Sequence, residues 1–515
     1  MKTSAGKLSI ILILSLLLSL TALLSTHAEA LDPPHGDGLL FSTYLGGNFT
    51  DSGAAIAIDA EGYIYITGLT QSTQFPSTPS PQATEHGVDV FVAKINPADG
   101  SLAYILWINA ASAFDADEGL DITVDDAGYA YVVGQTRSPD FCSFFGDVPG
   151  YDTSYNGSSD AFLLKVKSDG SGLEYCTFLG GGDWDAGTAV IVDENGNATL
   201  TGETWSTDFP TTALAYNKYN SGQRDIFVAT IDPSGTELAF SSYIGGSGQE
   251  KGSALVHLGS NIIALTGWTN STNLPMSTYS LDPSFNGAFD AYLLQLNIET
   301  GQLVYGSYLG SQGEDRGTGI DRLSNSQILL TGYVVATAED PAPQFPTTAD
   351  AHSKNLQGKS DAFLTLFNPQ DSTLSYSSLH GGEGDEQGLG VSVGAGDTFA
   401  ITGYTTSTNF PTTSQGYQTN RSEDPGAPDA FISQFTNSGS HLRYSSYLGG
   451  NEEDKGNGLK LVGFDQVYLT GSTRSMNFPV SENALNPENA GDYDIFVTKL
   501  ALPYYELKLP FILRN

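Results

Sequence analysis

The chain has 515 residues, of which 58 are acidic and 21 are basic, and its formal net charge at pH 7 is -37. A surface of this sign repels nucleic-acid phosphates, so it excludes nucleic acid as a partner, and cations are the more natural small ligands. The two cysteines, Cys142 and Cys176, can pair if the chain is exported, although two lone cysteines do not establish a disulfide.

The first 30 residues have the pattern of a secretory signal peptide. Lys2 and Lys7 precede an apolar run from Ile10 to Leu24, and small residues at Ala28 and Ala30 suit a signal peptidase. A retained membrane anchor is the alternative, but the apolar core is short for a bilayer span. We therefore expect cleavage, a lead-in over residues 31–38, and a secreted or cell-surface monomer with no transmembrane span.

A phrase close to Y-S-S-Y-L-G-G then returns about every 65 residues. The seven copies begin at Phe41, Tyr104, Tyr175, Phe240, Tyr305, Tyr376 and Tyr444. A period of this length is typical of a repeat architecture, in which each unit buries its faces only against its neighbours.

Within one repeat the elements read as strands in chain order. An acid-x-Gly loop leads into a short apolar run such as Ala54 to Ile58, and a turn over 59–62 leads into a second run, Tyr63 to Gly68. A long polar loop carrying Phe-Pro follows, and then the alternating run Asp89 to Lys94. The next Y-S-S-Y-L-like phrase supplies a fourth strand, and no segment after the leader has helical periodicity.

Four short antiparallel strands repeated seven times predict an all-β, seven-bladed β-propeller over residues 39–500. The last blade has its third strand at Asp494 to Leu500 and no fourth strand after it. We expect the N-terminal run Phe41 to Leu45 to pair there and close the ring, which removes exposed sheet edges. Residues 501–515 would then form a C-terminal extension.

The repeated phrases resemble the SBBP family of bacterial β-propeller repeats. They are clear in Y-S-S-Y-L-G-G at 444–450, T-G-Y-T at 402–405, F-P-T-T at 410–413 and D-A-F-L at 361–364. The resemblance covers about residues 39 to 500 and implies an exported or surface-associated bacterial propeller with no settled activity or catalytic residues. The second repeat departs most, with Asn109-Ala110-Ala111 for Leu-Gly-Gly and Phe141-Cys142 for Phe-Pro.

Every repeat has one acid before x-Gly, placed where the innermost strand would begin. These residues are Asp51, Asp117, Asp185, Glu250, Asp315, Glu386 and Asp454. They either cap backbone N–H groups of their own loops or form an acidic circle that binds calcium. The calcium ligands would come from Asp115, Asp117, Asp185, Asp315 and Asp454, and the sequence indicates no other cofactor.

Three tryptophans are not repeated. Trp184 enters an inner strand, Trp205 follows its antiparallel partner, and Trp268 has a similar position in the next blade. Exposed together they would form a sugar-stacking platform, and the alternative is that each packs beneath a loop.

Enzyme signatures are weak. The G-x-S-x-G pattern at 390–394 lies on an apparent inner strand without a nucleophile elbow, and the histidines are dispersed. We therefore name no catalytic residue and expect a non-catalytic binding or interaction module for an extracellular carbohydrate or protein ligand. The alternatives are an extracellular carbohydrate-active lyase or hydrolase with its site at the channel mouth, and a purely structural surface protein.

Overall fold

The computed structural model describes residues 38–76, 87–108, 116–336, 345–421 and 426–503. In these ranges the strands form seven antiparallel sheets with four strands each, which confirms the predicted seven-bladed β-propeller. Two short 3-10 helices, Phe141–Ser143 and Ala395–Asp397, are the helices of these ranges, and neither is suited to crossing a membrane. The predicted signal peptide, 1–30, lies outside the described residues.

The first strand and the first three blades lie in the N-terminal half of the chain. The strand that opens the chain is β1 (Leu39–Leu45). Blade 1 contains β2 (Asp51–Ile58), β3 (Ile64–Thr70), β4 (Asp89–Ile95) and β5 (Leu102–Ile108). Blade 2 contains β6 (Glu118–Val124), β7 (Ala130–Thr136), β8 (Asp160–Val166) and β9 (Leu173–Leu179). Blade 3 contains β10 (Asp185–Val192), β11 (Ala198–Thr204), β12 (Asp225–Ile231) and β13 (Leu238–Ile244).

The remaining blades follow in the same order. Blade 4 contains β14 (Glu250–Gly259), β15 (Ile262–Thr269), β16 (Asp290–Asn297) and β17 (Gln302–Leu309). Blade 5 contains β18 (Glu314–Arg322), β19 (Ile328–Val335), β20 (Ser360–Asn368) and β21 (Thr373–His380). Blade 6 contains β22 (Glu386–Val393), β23 (Phe399–Thr405), β24 (Asp429–Phe435) and β25 (Leu442–Leu448). Blade 7 contains β26 (Asp454–Val462), β27 (Gln466–Thr473), β28 (Asp494–Ala501) and β1.

The inner hairpin of each blade is set by a short turn. In blade 1, the Asp59 carboxylate accepts hydrogen bonds from the amides of Glu61 and Tyr63. Gly62 adopts a φ of 87°, a left-handed conformation that glycine enters without a steric cost. This turn joins β2 to β3 and fixes their register.

Every innermost strand has a register shift three residues after its conserved acid. In β2 the shift lies between Gly53 and Ala55, so Ala54 has no partner in the ladder. The seven residues at this position line the central channel, and they are Ala54, Leu120, Thr188, Ser253, Thr318, Leu389 and Asn457. The bulges therefore determine which side chains face the channel.

The hydrophobic core lies between neighbouring blades. One cluster joins Phe41 and Val497 of blade 7 to Ile56, Ile64 and Phe91 of blade 1. Comparable clusters occupy the other boundaries, because each twisted sheet presents an apolar face to the next.

The ring closes between the two ends of the described chain. Strand β1 pairs antiparallel with β28, with Thr43 opposite Val497 and Tyr44 opposite Phe496, as the sequence predicts. The third strand of this blade ends at Ala501, one residue later than expected. The extension predicted from that point lies outside the described residues beyond residue 503.

Candidate functional site

The conserved entry acids are buried, and their oxygens accept hydrogen bonds from neighbouring loops. Asp185 accepts from the Gly181 amide at 2.8 Å and from the Ser206 hydroxyl at 2.8 Å. Three more of the seven acids have comparable partners, which are Thr136 and Ser138 for Asp117, Ser311 for Asp315, and Gly450 and Ser475 for Asp454. These contacts are carboxylate capping, which is a structural role that every blade needs.

Calcium binding by these acids stays a prediction. Asp117, Asp185, Asp315 and Asp454 lie in four different blades, and Asp115 lies outside the described residues. Calcium takes six to eight oxygen ligands, and the described part of the chain holds no group of three or more acids, histidines or cysteines able to hold a metal.

A second buried carboxyl group faces the entry acid across the blade boundary. Asp494 of blade 7 and Asp51 of blade 1 converge on Gly46, where an added Cβ atom would lie 2.2 Å from Asp494 Oδ1 and 2.9 Å from Asp51 Oδ2. Burial raises the pKa of Asp51 to about 6 and that of Asp494 to about 7, and the charge of Asp51 adds to the rise at Asp494. The first glycine of the L-G-G phrase is therefore required by this close approach.

The same arrangement recurs around the ring. The other mutually interacting pairs are Asp160 with Asp185, Asp225 with Glu250, Asp290 with Asp315, Asp361 with Glu386, and Asp429 with Asp454. Because these groups lie inside blade boundaries, they are part of the architecture and do not form an acidic surface at the channel mouth.

The end of the channel at which the innermost strands begin is here called the entry mouth. A cavity of about 320 Å³ opens there, lined by Ser52, Leu69, Glu118, Leu120, Leu389 and Asn457 among others. A second cavity of about 230 Å³ lies deeper and is bordered by all seven innermost strands. The entry mouth thus combines a concave surface with side chains from several blades.

The three tryptophans have unequal exposure. Trp184 is half-buried and Trp205 is 40% exposed, and the Trp205 amide donates to the Trp184 carbonyl, so both lie at one end of blade 3 as predicted. Trp268 is only 8% exposed. It therefore has no free face for a sugar, and Trp205 is the one of the three that presents a ring to solvent.

Two arginines lie over the ring of Trp268. The guanidinium carbons of Arg224 and Arg316 lie 4.6 and 4.7 Å from the Trp268 ring centre, and Arg224 lies 5.7 Å from that of Trp205. The buried Glu203 carboxylate pairs with Arg224 at 2.5 Å and with Lys251 at 3.5 Å. The entry-mouth cluster is defined as Glu203, Trp205, Arg224, Lys251, Trp268 and Arg316.

The charged members of this cluster occupy positions that vary from blade to blade. Lys251 lies opposite Trp268 across the inner hairpin of blade 4, and the residues that match Trp268 in the other blades are Leu69, Gln135, Glu203, Tyr333, Tyr404 and Ser472. The repeated phrases of the sequence do not single out Arg224, Lys251 or Arg316. The one sign of this cluster in the sequence is that the residue type changes from blade to blade at one position of a repeated phrase.

The serine of the G-x-S-x-G pattern at 390–394 has a structural role. Ser392 of the G-x-S-x-G pattern is buried on β22, and its hydroxyl accepts a hydrogen bond from the Leu461 amide at 3.2 Å. His380 is also buried, and burial lowers its pKa to about 3 while its Nε2 contacts the Ser433 hydroxyl. Neither side chain faces the entry mouth cavity.

The two cysteines are joined. Cys142 lies in the short helix after β7 and Cys176 lies on β9, and their Cα atoms are 5.3 Å apart in a disulfide. Here Cys142 stands where other blades have the proline of Phe-Pro. The other departure of this repeat, at 109–111, lies outside the described residues.

Comparison with family models identifies the repeat. The SBBP family model, described as a beta-propeller repeat, matches residues 40–76. No curated protein matches the chain. Among solved structures, Raptor of Chaetomium thermophilum is similar over 91% of this chain and 30% of its own, with 8% identity and a TM-score of 0.45.

Two further structures are similar over most of their own length. BamB from Moraxella catarrhalis has 9% identity and a TM-score of 0.37, covering 87% of this chain and 85% of its own. A PL25 ulvan lyase has 11% identity and a TM-score of 0.43, covering 90% and 95%. At these values we infer no function from the likeness. The SBBP repeat that the phrases predict is confirmed at residues 40–76, which contain β1 of blade 7 and the two inner strands of blade 1 in a seven-bladed β-propeller.

Proposed function

We propose that this protein is an exported, non-catalytic carbohydrate-binding module whose ligand occupies the entry mouth. The observation that carries the proposal is that side chains differ from blade to blade at the entry mouth, while the phrases that build the blades repeat. A residue present in every blade serves the architecture, whereas an unrepeated cluster at the end of the blades where the innermost strands begin has no such purpose.

The chemistry of the entry mouth supports a sugar ligand. Trp205 presents an aromatic ring, and polar groups of Glu203, Arg224 and Lys251 lie beside it, as sugar recognition requires. The Cys142–Cys176 disulfide supports export, since such bonds persist in oxidising compartments.

Catalysis is less well supported. Glycoside hydrolysis usually requires two carboxyl groups flanking the scissile bond, and Glu118 is the one acid among the described residues that line the larger cavity. A purely structural role would leave the unrepeated cluster unexplained.

A glycan array followed by calorimetric titration of the best ligand tests the proposal. We expect Trp205→Ala to weaken binding roughly three- to tenfold because a stacking surface is lost. Phe464→Ala is the matched control, since Phe464 is also 40% exposed but lies in the turn at the opposite end of its blade. The affinity of the Phe464→Ala variant for the glycan should equal that of the unmodified protein.

Other outcomes would contradict the proposal. Release of shorter or unsaturated sugars from a bound glycan would identify an enzyme. Failure to bind any glycan on the array would favour a protein ligand or a structural role.

A further inference from the structure

The entry-mouth cluster is locally cationic in a strongly acidic chain. Arg224, Lys251 and Arg316 provide three positive charges, and the carboxylates paired with them, Glu203 and Glu314, provide two negative charges. The whole chain has nearly three acids for each base. Because the Debye length is about 8 Å at physiological salt, the local balance governs a bound group more than the total charge does.

The cations are held in place before any ligand arrives. Arg224 and Arg316 both contact the ring of Trp268, and the Phe289 ring meets Trp268 edge-on at 5.0 Å. The buried Glu203 carboxylate anchors both Arg224 and Lys251. Side chains fixed in this way lose little conformational entropy when they bind a ligand, so their interactions contribute more fully to affinity.

Two of the three cations reach solvent, while the side chain of Arg224 is only 14% exposed. The side chains of Lys251 and Arg316 are 33% and 27% exposed, whereas that of Glu203 is 5% exposed. The carboxylate that pairs with both Arg224 and Lys251 is therefore buried, whereas Lys251 and Arg316 are available to solvent. Trp205 lies beside the cations, with its ring centre 5.7 Å from the guanidinium carbon of Arg224.

The blade itself does not require these cations. The position of Arg224, directly before the third strand, holds Val88, Ser159, Phe289, Ser360, Pro428 and Tyr493 in the other blades. The sheets form equally well with apolar, hydroxyl or cyclic side chains at this position. Arg224 and its neighbours are thus available for recognition.

We propose that the entry-mouth cluster recognises an acidic glycan, with one sugar ring against Trp205 and its anionic group held by Arg316, Lys251 and Arg224. Guanidinium groups bind carboxylate and sulfate oxygens through paired N–H donors, and both anions occur on acidic sugars. This inference rests on the proposed function, because it specifies the ligand class of the same site.

Titrations with three soluble polymers test the inference. The probes are polygalacturonate for carboxylate, dextran sulfate for sulfate, and unmodified dextran as the neutral polymer. We expect saturable binding of polygalacturonate, dextran sulfate or both, no binding of dextran, and weaker binding at 300 mM than at 50 mM NaCl. Two acidic probes with different anions distinguish carboxylate recognition from sulfate recognition.

Single substitutions distinguish binding at the entry-mouth cluster from nonspecific electrostatic attraction. Arg316→Gln should weaken binding of the acidic probe roughly tenfold, because a charge-assisted contact is lost. Arg322→Gln is the matched control, since Arg322 is exposed at the opposite end of the same strand, and it should bind normally. Lys251→Gln provides a second test if Arg316→Gln lowers the melting temperature.

Each alternative result has a definite meaning. Binding of neutral glycans without binding of either acidic polymer overturns this inference and leaves the proposed function intact. Equal losses of affinity in Arg316→Gln and Arg322→Gln also overturn the inference, because they indicate nonspecific electrostatic attraction to the protein surface. No binding of any glycan overturns both proposals.

Discussion

Paired carboxyl groups at the blade boundaries make the stability of the ring depend on pH. The pKa values of Asp51 and Asp494 in the folded protein, about 6 and about 7, lie above the usual value of 3.8. Between about pH 4 and pH 7, the folded state therefore holds protons that the unfolded chain has released. The contribution of this pair to the unfolding free energy is fully present below pH 4 and is lost as the pH rises to about 7.

Asp494→Asn should reduce this pH dependence. The amide oxygen of asparagine can still accept the Ala490 N–H, which lies 2.7 Å from Asp494 Oδ2, but it places no charge beside Asp51. We expect the variant to melt on the order of 2 °C higher than the unmodified protein at pH 8, with a smaller difference at pH 5. Thermal melts across this range measure the effect.

Asp99→Asn is the control for Asp494→Asn. Asp99 is exposed, and hydrogen bonds from Ser101 lower its pKa, so its titration falls below the tested range. The prediction fails if both variants shift the melting temperature equally at pH 5 and pH 8.

At the scale of single residues, some contacts could not be predicted from the sequence. The sequence leaves both capping and calcium binding open for the entry acids, because repetition indicates a structural role but cannot locate hydrogen-bond partners. The burial of Trp268 depends on Arg224 and Arg316, which come from the blades on either side. Contacts between residues so distant in sequence have no signature in a single chain.

At the scale of the element, the second tyrosine of Y-S-S-Y-L-G-G joins the outermost strand to the Phe-Pro loop. Tyr447 donates a hydrogen bond to the Ser407 carbonyl at 2.9 Å and accepts one from the Phe410 amide at 3.1 Å. Tyr44, Tyr243 and Tyr308 make the same pair of bonds in blades 7, 3 and 4. The Y-S-S-Y-L-G-G and Phe-Pro phrases look unrelated in sequence, but they are thus hydrogen-bonded to each other in the structure.

Tyr447→Phe should lower the unfolding free energy by about 1–3 kcal/mol, because a buried amide and a buried carbonyl lose their partner. Urea unfolding measures this loss, and hydrogen exchange at the Phe410 amide should accelerate. Tyr279→Phe is the control, since Tyr279 is 81% exposed. If the two substitutions have equal effects, the hydroxyl of Tyr447 does not stabilise the loop.

The elements themselves are the part of the structure that sequence predicts best. Alternating runs and glycine turns locate the strands to within a few residues, because each strand follows from its own local pattern. The bulge after each acid-x-Gly was not predicted. It depends on the Thr-Gly phrase of the preceding blade, where Thr470 Oγ1 would lie 2.4 Å from a Cβ atom added to Gly53.

At the scale of the whole molecule, ring closure depends on β1. The Ser42 amide donates to the Ser481 hydroxyl and the Tyr44 amide to the Asn486 carbonyl, so the intervening Thr43 amide faces β28. Loss of that one donor would weaken the contact that holds blade 7 together.

Thr43→Pro removes this amide, whereas Thr43→Ser keeps both the amide and the hydroxyl. We expect Thr43→Pro to lower the unfolding free energy by at least about 1–3 kcal/mol, with most of the lost hydrogen-exchange protection in β28. Thr43→Ser should retain nearly all of the stability. Equal stability of the two variants would contradict closure by this pairing.

Synthesis from the N-terminus to the C-terminus delays closure of the propeller ring. Of the described strands, β1 is synthesised first and its partner β28 last, so blades 1 to 6 can form while β1 still lacks β28. During that interval β1 is an unpaired strand with a largely apolar side, LLFSTYL, next to an incomplete ring. The protein is consequently most vulnerable to pairing with a second copy of itself just before β28 has been synthesised.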